Sequence, residues 1–445
     1  MNALIAKNNN KRNGLNDLKD LNDFVYDLIV VGGGPTGSVA ARYAKLNGVS
    51  RVLVIEENAS IGSPVQCAGL LSTAALLEPD MEPDSSFVLN AVKGAKVYPP
   101  SGKQLKIVGK ETKAYVVSRK MFDRRLAEMA ANEGADYLMK AQVVGLTDGV
   151  FADDSGDMKV KALEVIHNGE IQTYYAKVVI AADGVRSRTA GFAGLAPCEK
   201  VLSGVQIEAN YLSEDSDFVE MFVGSAAPGF FAWSIPASET ISRIGLAVDS
   251  DMKKAELKRA GLTEQIEPVS AGDYLNTLLQ NPVIDAKITP GYSDFVVGGI
   301  PIGPMKKTYA AGLMIAGDAA GQCKPVSGGG IYTGAVAAKI AAKVAAEAIE
   351  EGDFSERKMS EYEKRWKKEL GRELEIGMRI HDYRMKLSDE EMNKIFDGLN
   401  DPEILDLITE YGDMDHPSVL IQKLMLSKHS LKMAKLFGTF LKTLF

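Results

Sequence analysis

The sequence predicts an α/β (α+β) protein: a mainly parallel sheet wound with helices, an antiparallel sheet beside it, and a helical C-terminal region. Three observations carry that expectation. A β-branched run breaks into GGGPTG and continues as an alanine-rich stretch; a middle region holds short alternating runs such as VLSGVQIEANYL and RIGLAVD; the chain from 346 onward is charged and helical in pattern. At 445 residues the chain is too long for one small core, so two or three domains are expected.

The first element is YDLIVVGGGPTGSVAARYAKLNGVSRVLVIEE. Leu28 to Val31 read as a strand buried on both faces. Gly32, Gly34 and Gly37 fit GxGxxG, an alanine-rich helix runs through Ala44, and a second strand from Arg51 to Ile55 ends in Glu56. The spacing has a physical cause. Gly32 permits the tight turn, Gly34 lets backbone approach a pyrophosphate, and Gly37 lets helix and strand pack closely. The helix N-terminus offers unpaired N–H groups to phosphate, and Glu56 can accept hydrogen bonds from ribose hydroxyls. This is a Rossmann-type unit, and it predicts a bound dinucleotide.

Two later segments choose which one. YAKVVIAADGVRSRTA holds a strand, Val178 to Ala181, then Asp183-Gly184 and Ser187. AAGLMIAGDAAGQCKPVSGGGIYTGAVAAKIAA holds a strand, Leu313 to Ala316, then Gly317-Asp318, a loop with Pro325 and Gly328-Gly329-Gly330, and a long helix. Asp318 is placed to bind a sugar-alcohol chain. Gly330 and Ile331 offer N–H groups to the electron-poor carbonyl edge of a flavin, which points to FAD.

Together GxGxxG, ADGxxS and GDAAG…SGGG resemble the FAD enzymes with the para-hydroxybenzoate hydroxylase-like fold, over residues 26 to about 345. Three further segments are similar to the geranylgeranyl reductase family within that class. GSPVQCAGLLS, residues 62–72, resembles its cysteine-bearing loop; VVSRKMFDRRLAEMA, residues 116–130, its arginine before the next helix; FFAWSIP, residues 230–236, its YxWxFP signature. Phe231 and Ile235 stand where that family usually has Tyr and Phe, which brings FxWxIP close to the WxWxIP of flavin halogenases. Ala68 and Gly69 follow Cys67 where archaeal members often carry Gly-Glu.

The resemblance implies FAD contacts at Thr36, Glu56, Cys67, Ala68, Leu70, Arg119, Val143, Asp318, Gly330 and Ile331. Arg119 would neutralise phosphate charge, and Val143, on the strand after the 120–133 helix, would meet the adenine end through its backbone. Phe230, Phe231, Trp233 and Pro236 would line the isoprenoid cavity, and Cys67 is a candidate for proton delivery. The implied activity is FAD-dependent hydrogenation of C=C bonds in geranylgeranyl chains, on the archaeal ether-lipid precursor digeranylgeranylglycerophospholipid. NAD(P)H or a ferredoxin would donate electrons. Two alternatives stay open: a monooxygenase or halogenase of the same fold, and a non-catalytic prenyl-binding protein. Intact Gly32 to Gly37, Asp183-Gly184 and Asp318 argue against the second.

The motifs divide the chain. Residues 24–75, 113–195 and 290–345 form a discontinuous FAD-binding domain; 76–112 and 196–289 form an antiparallel substrate domain; 346–445 are helical; 1–23 are a polar flexible leader. A net charge of -8 argues against nucleic-acid binding. Cys67, Cys198 and Cys323 are too dispersed for a disulfide framework or an iron–sulfur cluster, and the four histidines lack ligand spacing, so no metal site is expected. No charge-free apolar run reaches membrane-spanning length. At the C-terminus Leu436, Phe437, Phe440, Leu441 and Leu444 share one helical face and Lys432, Lys435 and Lys442 the other. Such a basic amphipathic helix suits an anionic membrane surface or the protein's own core. The expected location is cytoplasmic, with peripheral contact at the inner face of the membrane.

Overall fold

A computed structural model describes residues 25–153, 156–249, 270–438 and 440. The leader, residues 250–269 of the antiparallel segment, and Leu441, Lys442 and Leu444 lie outside the described residues.

In chain order the first third contains β1 (Val25–Val31), α1 (Pro35–Leu46), β2 (Val52–Glu56), β3 (Leu70–Ser72), α2 (Thr73–Leu77), β4 (Val88–Val92), β5 (Gly94–Tyr98), β6 (Leu105–Val108), β7 (Ala114–Val117) and α3 (Arg119–Asn132). The middle contains β8 (Asp136–Met139), β9 (Ala141–Asp153), β10 (Gly156–His167), β11 (Glu170–Ala181), α4 (Arg188–Phe192), β12 (Lys200–Tyr211), β13 (Phe218–Phe222), β14 (Ala232–Pro236) and β15 (Ile241–Val248). Then come α5 (Ala271–Leu279), α6 (Pro282–Asp285), β16 (Ile288–Ile302), β17 (Tyr309–Ala310), β18 (Leu313–Ile315) and α7 (Ile331–Glu351). Helices close the chain: α8 (Glu356–Trp366), α9 (Arg372–Arg384), α10 (Asp389–Leu399), α11 (Pro402–Tyr411), α12 (Pro417–Leu426) and α13 (Ser430–Phe437).

The first sheet has a parallel core in the order β18-β11-β1-β2-β8. Its strands are apolar on both faces because both are covered. Leu28 and Val30 of β1 point to a cluster built from α1, α3, α7 and α8, while Ile29 and Val31 point to one built with the β9–β10 hairpin. The expected parallel nucleotide sheet is therefore present. Trp366, fully buried with its Nε1 donating to Thr308 Oγ1 at 2.9 Å, fixes α8 against this layer.

The second sheet runs β16-β12-β15-β14-β13-β5-β6, antiparallel except for the β13–β5 pair. Alternation along each strand sends one set of side chains under α5 and α6 and the other toward β4, β7 and the loop at Cys323. The boundary expected at 290 falls inside β16, which pairs along β12 from Ile302↔Lys200 to Ile288↔Tyr211. Residues 288–302 thus extend the antiparallel sheet, and the nucleotide-binding part resumes only at β17. A run of alternating Gly and β-branched residues in VVGGIPI allows either reading until the ladder is formed. A small sheet, β3-β7-β4, links the two.

The C-terminal apolar face is used internally over its described part. Leu436 lies against Gly398 of α10, Phe440 stacks on Tyr383 at 4.1 Å, and Lys432 pairs with Asp401 at 2.8 Å. Of the two readings of this stripe, packing on the protein's own core is the one these described residues follow: α9 and α10 provide a groove that covers it.

Candidate active site

The carboxyl ends of β1, β11 and β18 bring the three glycine motifs together. Gly32 has φ +99°, and a Cβ there would lie 2.3 Å from the Ala182 carbonyl oxygen, so the turn needs glycine. A Cβ on Gly37 would lie 1.9 Å from Gly32 O. Gly34 differs: no atom lies within 4 Å of where its Cβ would be. Gly34 is also the N-cap of α1 and gives no side-chain cap, so open space faces uncapped helix N–H groups. That is the space and chemistry a pyrophosphate requires, and the residues fit an FAD phosphate.

Thr36 serves in a way the motif does not reveal. Its Oγ1 lies 2.4 Å from where a Cβ would stand on Gly317 and 2.4 Å from one on Gly334. The side chain is locked between the third motif and α7, leaving its backbone N–H for a ligand. Glu56 is buried; Oε2 accepts from Gly33 N–H at 2.7 Å and Oε1 from Asn58 N–H at 2.8 Å. It shapes the glycine loop from the end of β2. Asp183 caps α4, accepting from Ser187 Oγ at 2.6 Å and Thr189 N–H at 3.0 Å.

At the other end, Gly330 is the uncapped N-cap of α7 and Ile331 its first residue. Asp318 faces this terminus: a Cβ on Gly330 would lie 2.6 Å from its Oδ1. Cys323 Sγ donates to the same Oδ1 at 3.0 Å. Burial raises the pKa of Asp318, and the Cys323 contact and the Arg119 charge only partly oppose it. Burial, then the neighbouring Asp318, holds the Cys323 thiol well above its ordinary value.

Cys67 is partly buried and its sulfur accepts from Gly69 N–H at 3.3 Å. Arg119 opens α3 and makes a bidentate pair with Asp123, at 2.9 and 3.0 Å. Burial works against its charge, but Asp123 and the Cys67 sulfur outweigh it and raise its pKa. The structure thus joins Cys67, Arg119 and Asp318 in one electrostatic group, with Ala68 and Leu70 packed on the adjoining apolar cluster. Val143 is set apart. It lies on β9, the second strand after α3 rather than the first, with its side chain buried among Leu53, Ile55 and Val165.

The aromatic segment meets the flavin loop. A Cβ on Gly328 would lie 3.2 Å from Phe230 Cζ, and Phe230 stacks on Phe231 at 4.3 Å. Trp233 meets Phe231 edge-on and satisfies its indole N–H on Gln206 Oε1 at 2.9 Å. Phe230 and Trp233 are buried; Phe231 keeps open surface. Pro236 ends β14, its carbonyl accepting from Asn90 Nδ2 at 2.9 Å.

Residues not singled out by sequence complete the site. Arg243 Nη1 donates to the Ala68 and Val117 carbonyls, both at 2.9 Å, and its Nε to Glu208 at 3.1 Å. A charged residue inside the alternating run ISRIGLAV was the available signal. Lys324, in the flavin loop, forms a buried ion pair with Asp415.

Three glycine motifs converging on one sheet end, beside an apolar wall, define a flavin-dependent oxidoreductase. An FAD binding domain family model matches residues 25–368, and the enzyme uses FAD. The likeness extends further. The chain is 36% identical over 393 residues to digeranylgeranylglycerophospholipid reductase of Methanococcus aeolicus, covering 86% of this chain and 93% of that one. The enzyme of the same name from Methanocaldococcus jannaschii is 36% identical over 391 residues, with 86% and 93% covered. A geranylgeranyl bacteriochlorophyll reductase-like protein from Thermoplasma acidophilum superposes with a TM-score of 0.76 at 30% identity, over 94% of this chain and 99% of that one. A flavin-dependent brominase at 17% identity and TM-score 0.62 shares the fold alone. The chain belongs to the digeranylgeranylglycerophospholipid reductase family.

Proposed function

We propose that the enzyme hydrogenates the C=C bonds of geranylgeranyl chains on an archaeal phospholipid precursor, with Cys67 as proton donor and the aromatic segment as the wall that holds the chain. The observation that carries this is the meeting of Phe230 with the flavin loop at Gly328, which sets an apolar wall beside the cofactor cradle. Bound and reduced, FAD supplies a hydride.

The residues have the following tasks. Uncapped N–H groups at Gly34 and Gly330 would hold the pyrophosphate and the ring edge, and Asp318 the sugar-alcohol chain; Arg119 tempers the charge around Cys67. An isolated alkene has no electron-withdrawing group to stabilise charge, so rate depends on geometry and exclusion of water. Phe231, with open surface, and Trp233, held by Gln206, orient the chain. Cys67 would give its Sγ proton to an alkene carbon, and Arg119 beside it would steady the thiolate until solvent returns a proton. The electron donor would be NAD(P)H or a ferredoxin. Peripheral membrane contact, in this reading, falls to Leu426 and Leu431, each more than three-quarters exposed.

The test is anaerobic incubation of the FAD-loaded, chemically reduced protein with digeranylgeranylglyceryl phosphate, followed by mass spectrometry. Mass gains in steps of two hydrogens are expected; an unchanged lipid would remove the proposal.

A further inference from the structure

Arg384, the last residue of α9, is a cation without an acid. Among the described residues no carboxylate pairs with it. Its Nη2 donates to Gly229 O at 3.1 Å and meets His381 Nδ1 at 3.3 Å, and the guanidinium lies over the Phe230 ring at 4.8 Å. Its Nε is sealed from water and has no partner. The nearby acid is already engaged: Asp249 is met by His381 Nε2 at 3.4 Å and by Lys200 at 3.1 Å. Burial without a counter-charge pushes the Arg384 pKa down to about 10. Arg384 is partly buried with its Nε sealed, and a charge drawn this far from water without an acid is costly until an opposite charge meets it.

Its position says which ligand. Earlier on α9, Gly377 abuts Pro325 of the flavin loop, where a Cβ would lie 2.8 Å from Pro325 Cδ, and Met378 packs on the apolar cluster that includes Leu70 and Phe231. Seven residues of helix separate Gly377 from Arg384, about 10 Å at 1.5 Å per residue. One helix therefore presents, in order, the cofactor loop at Gly377, Met378 on the apolar cluster and a lone guanidinium at Arg384. An anionic head joined to an apolar chain has the same order.

We infer that Arg384 binds the phosphate of the prenyl lipid, fixing the headgroup at the end of α9 while the chain runs toward the flavin loop. The inference rests on the lipid-phosphate reading above and adds the residue that recognises the phosphate.

The test measures binding, not turnover, on the FAD-loaded protein in detergent by quenching of tryptophan fluorescence. The probes are digeranylgeranylglyceryl phosphate, the matching alcohol digeranylgeranylglycerol, and inorganic phosphate. Wild type should prefer the phosphate lipid by about 10- to 100-fold, the range of a charge-assisted pair. Arg384→Met should erase that preference while leaving affinity for the alcohol within about twofold, and Arg384→Lys should restore part of it. Equal affinity of wild type for both lipids would overturn the inference without any variant. Equal weakening of both lipids by Arg384→Met would also overturn it. Inorganic phosphate that binds as tightly as the lipid would assign the site to free phosphate instead. Binding with the expected preference but no hydrogenation would defeat the reductase reading and leave this one standing.

Discussion

Arg243 holds the Ala68 carbonyl from beneath, at 2.9 Å, and the same nitrogen reaches Val117 O at 2.9 Å across the base of the Cys67 loop. Gly69 lies so close that a Cβ there would meet this guanidinium at 2.2 Å. Arg243→Met keeps the stem and abandons two carbonyls and Glu208. A stability loss of about 2–3 kcal/mol is expected, with reduced FAD content and slower turnover. A variant with the wild-type denaturation midpoint and full flavin content would show that the loop needs no such tie.

Thr36 and Gly334 interlock, and their coupling is measurable. Gly334→Ala puts a methyl 2.4 Å from Thr36 Oγ1, an overpacking cost of about 1–3 kcal/mol. Thr36→Ala opens that space. The double variant should recover most of the loss, because the next Thr36 atom lies 3.6 Å away. Additive losses in a double-mutant cycle would refute the interlock.

Asp318 links stability to pH. Its folded pKa is raised, mainly by burial, so the native state holds a proton that the unfolded chain releases. Stability then falls as pH rises from the unfolded value of about 3.9 through the raised native value, and stays lower above it. Asp318→Asn removes the charge, so the flavin-free variant should melt above flavin-free wild type at pH 7. That advantage should vanish toward pH 4, while FAD affinity drops. A melting difference independent of pH would exclude this origin.

Phe440 and Tyr383 stack at 4.1 Å. Phe440→Ala should lower stability by about 1 kcal/mol or more through the lost ring pair and burial. Sedimentation with anionic vesicles should not change, because that face is turned inward. Loss of vesicle binding with unchanged stability would return the face to the membrane.

What sequence made legible is what is encoded locally. Gly37 closes on Gly32 O within its own turn and Gly32 takes a φ of +99°, so their spacing reports the cradle directly. Pairings across long separations left no such trace. Arg243 reaches Ala68 over 175 positions, and Arg384 reaches Gly229 over 155. For Thr36 the motif records a place beside the cofactor, not the side chain's neighbours Gly317 and Gly334. The amphipathic C-terminus showed a stripe needing cover but not what covers it.

The buried Lys324–Asp415 pair spans 91 positions and ties the flavin loop to the turn before α12. During synthesis at about 5–20 residues per second, the loop waits roughly 5–20 s before its partner exists. For that interval the ribosome carries an FAD site whose third motif is present but unfastened. A chain stopped short of Asp415 would lack the partner that fastens its flavin loop.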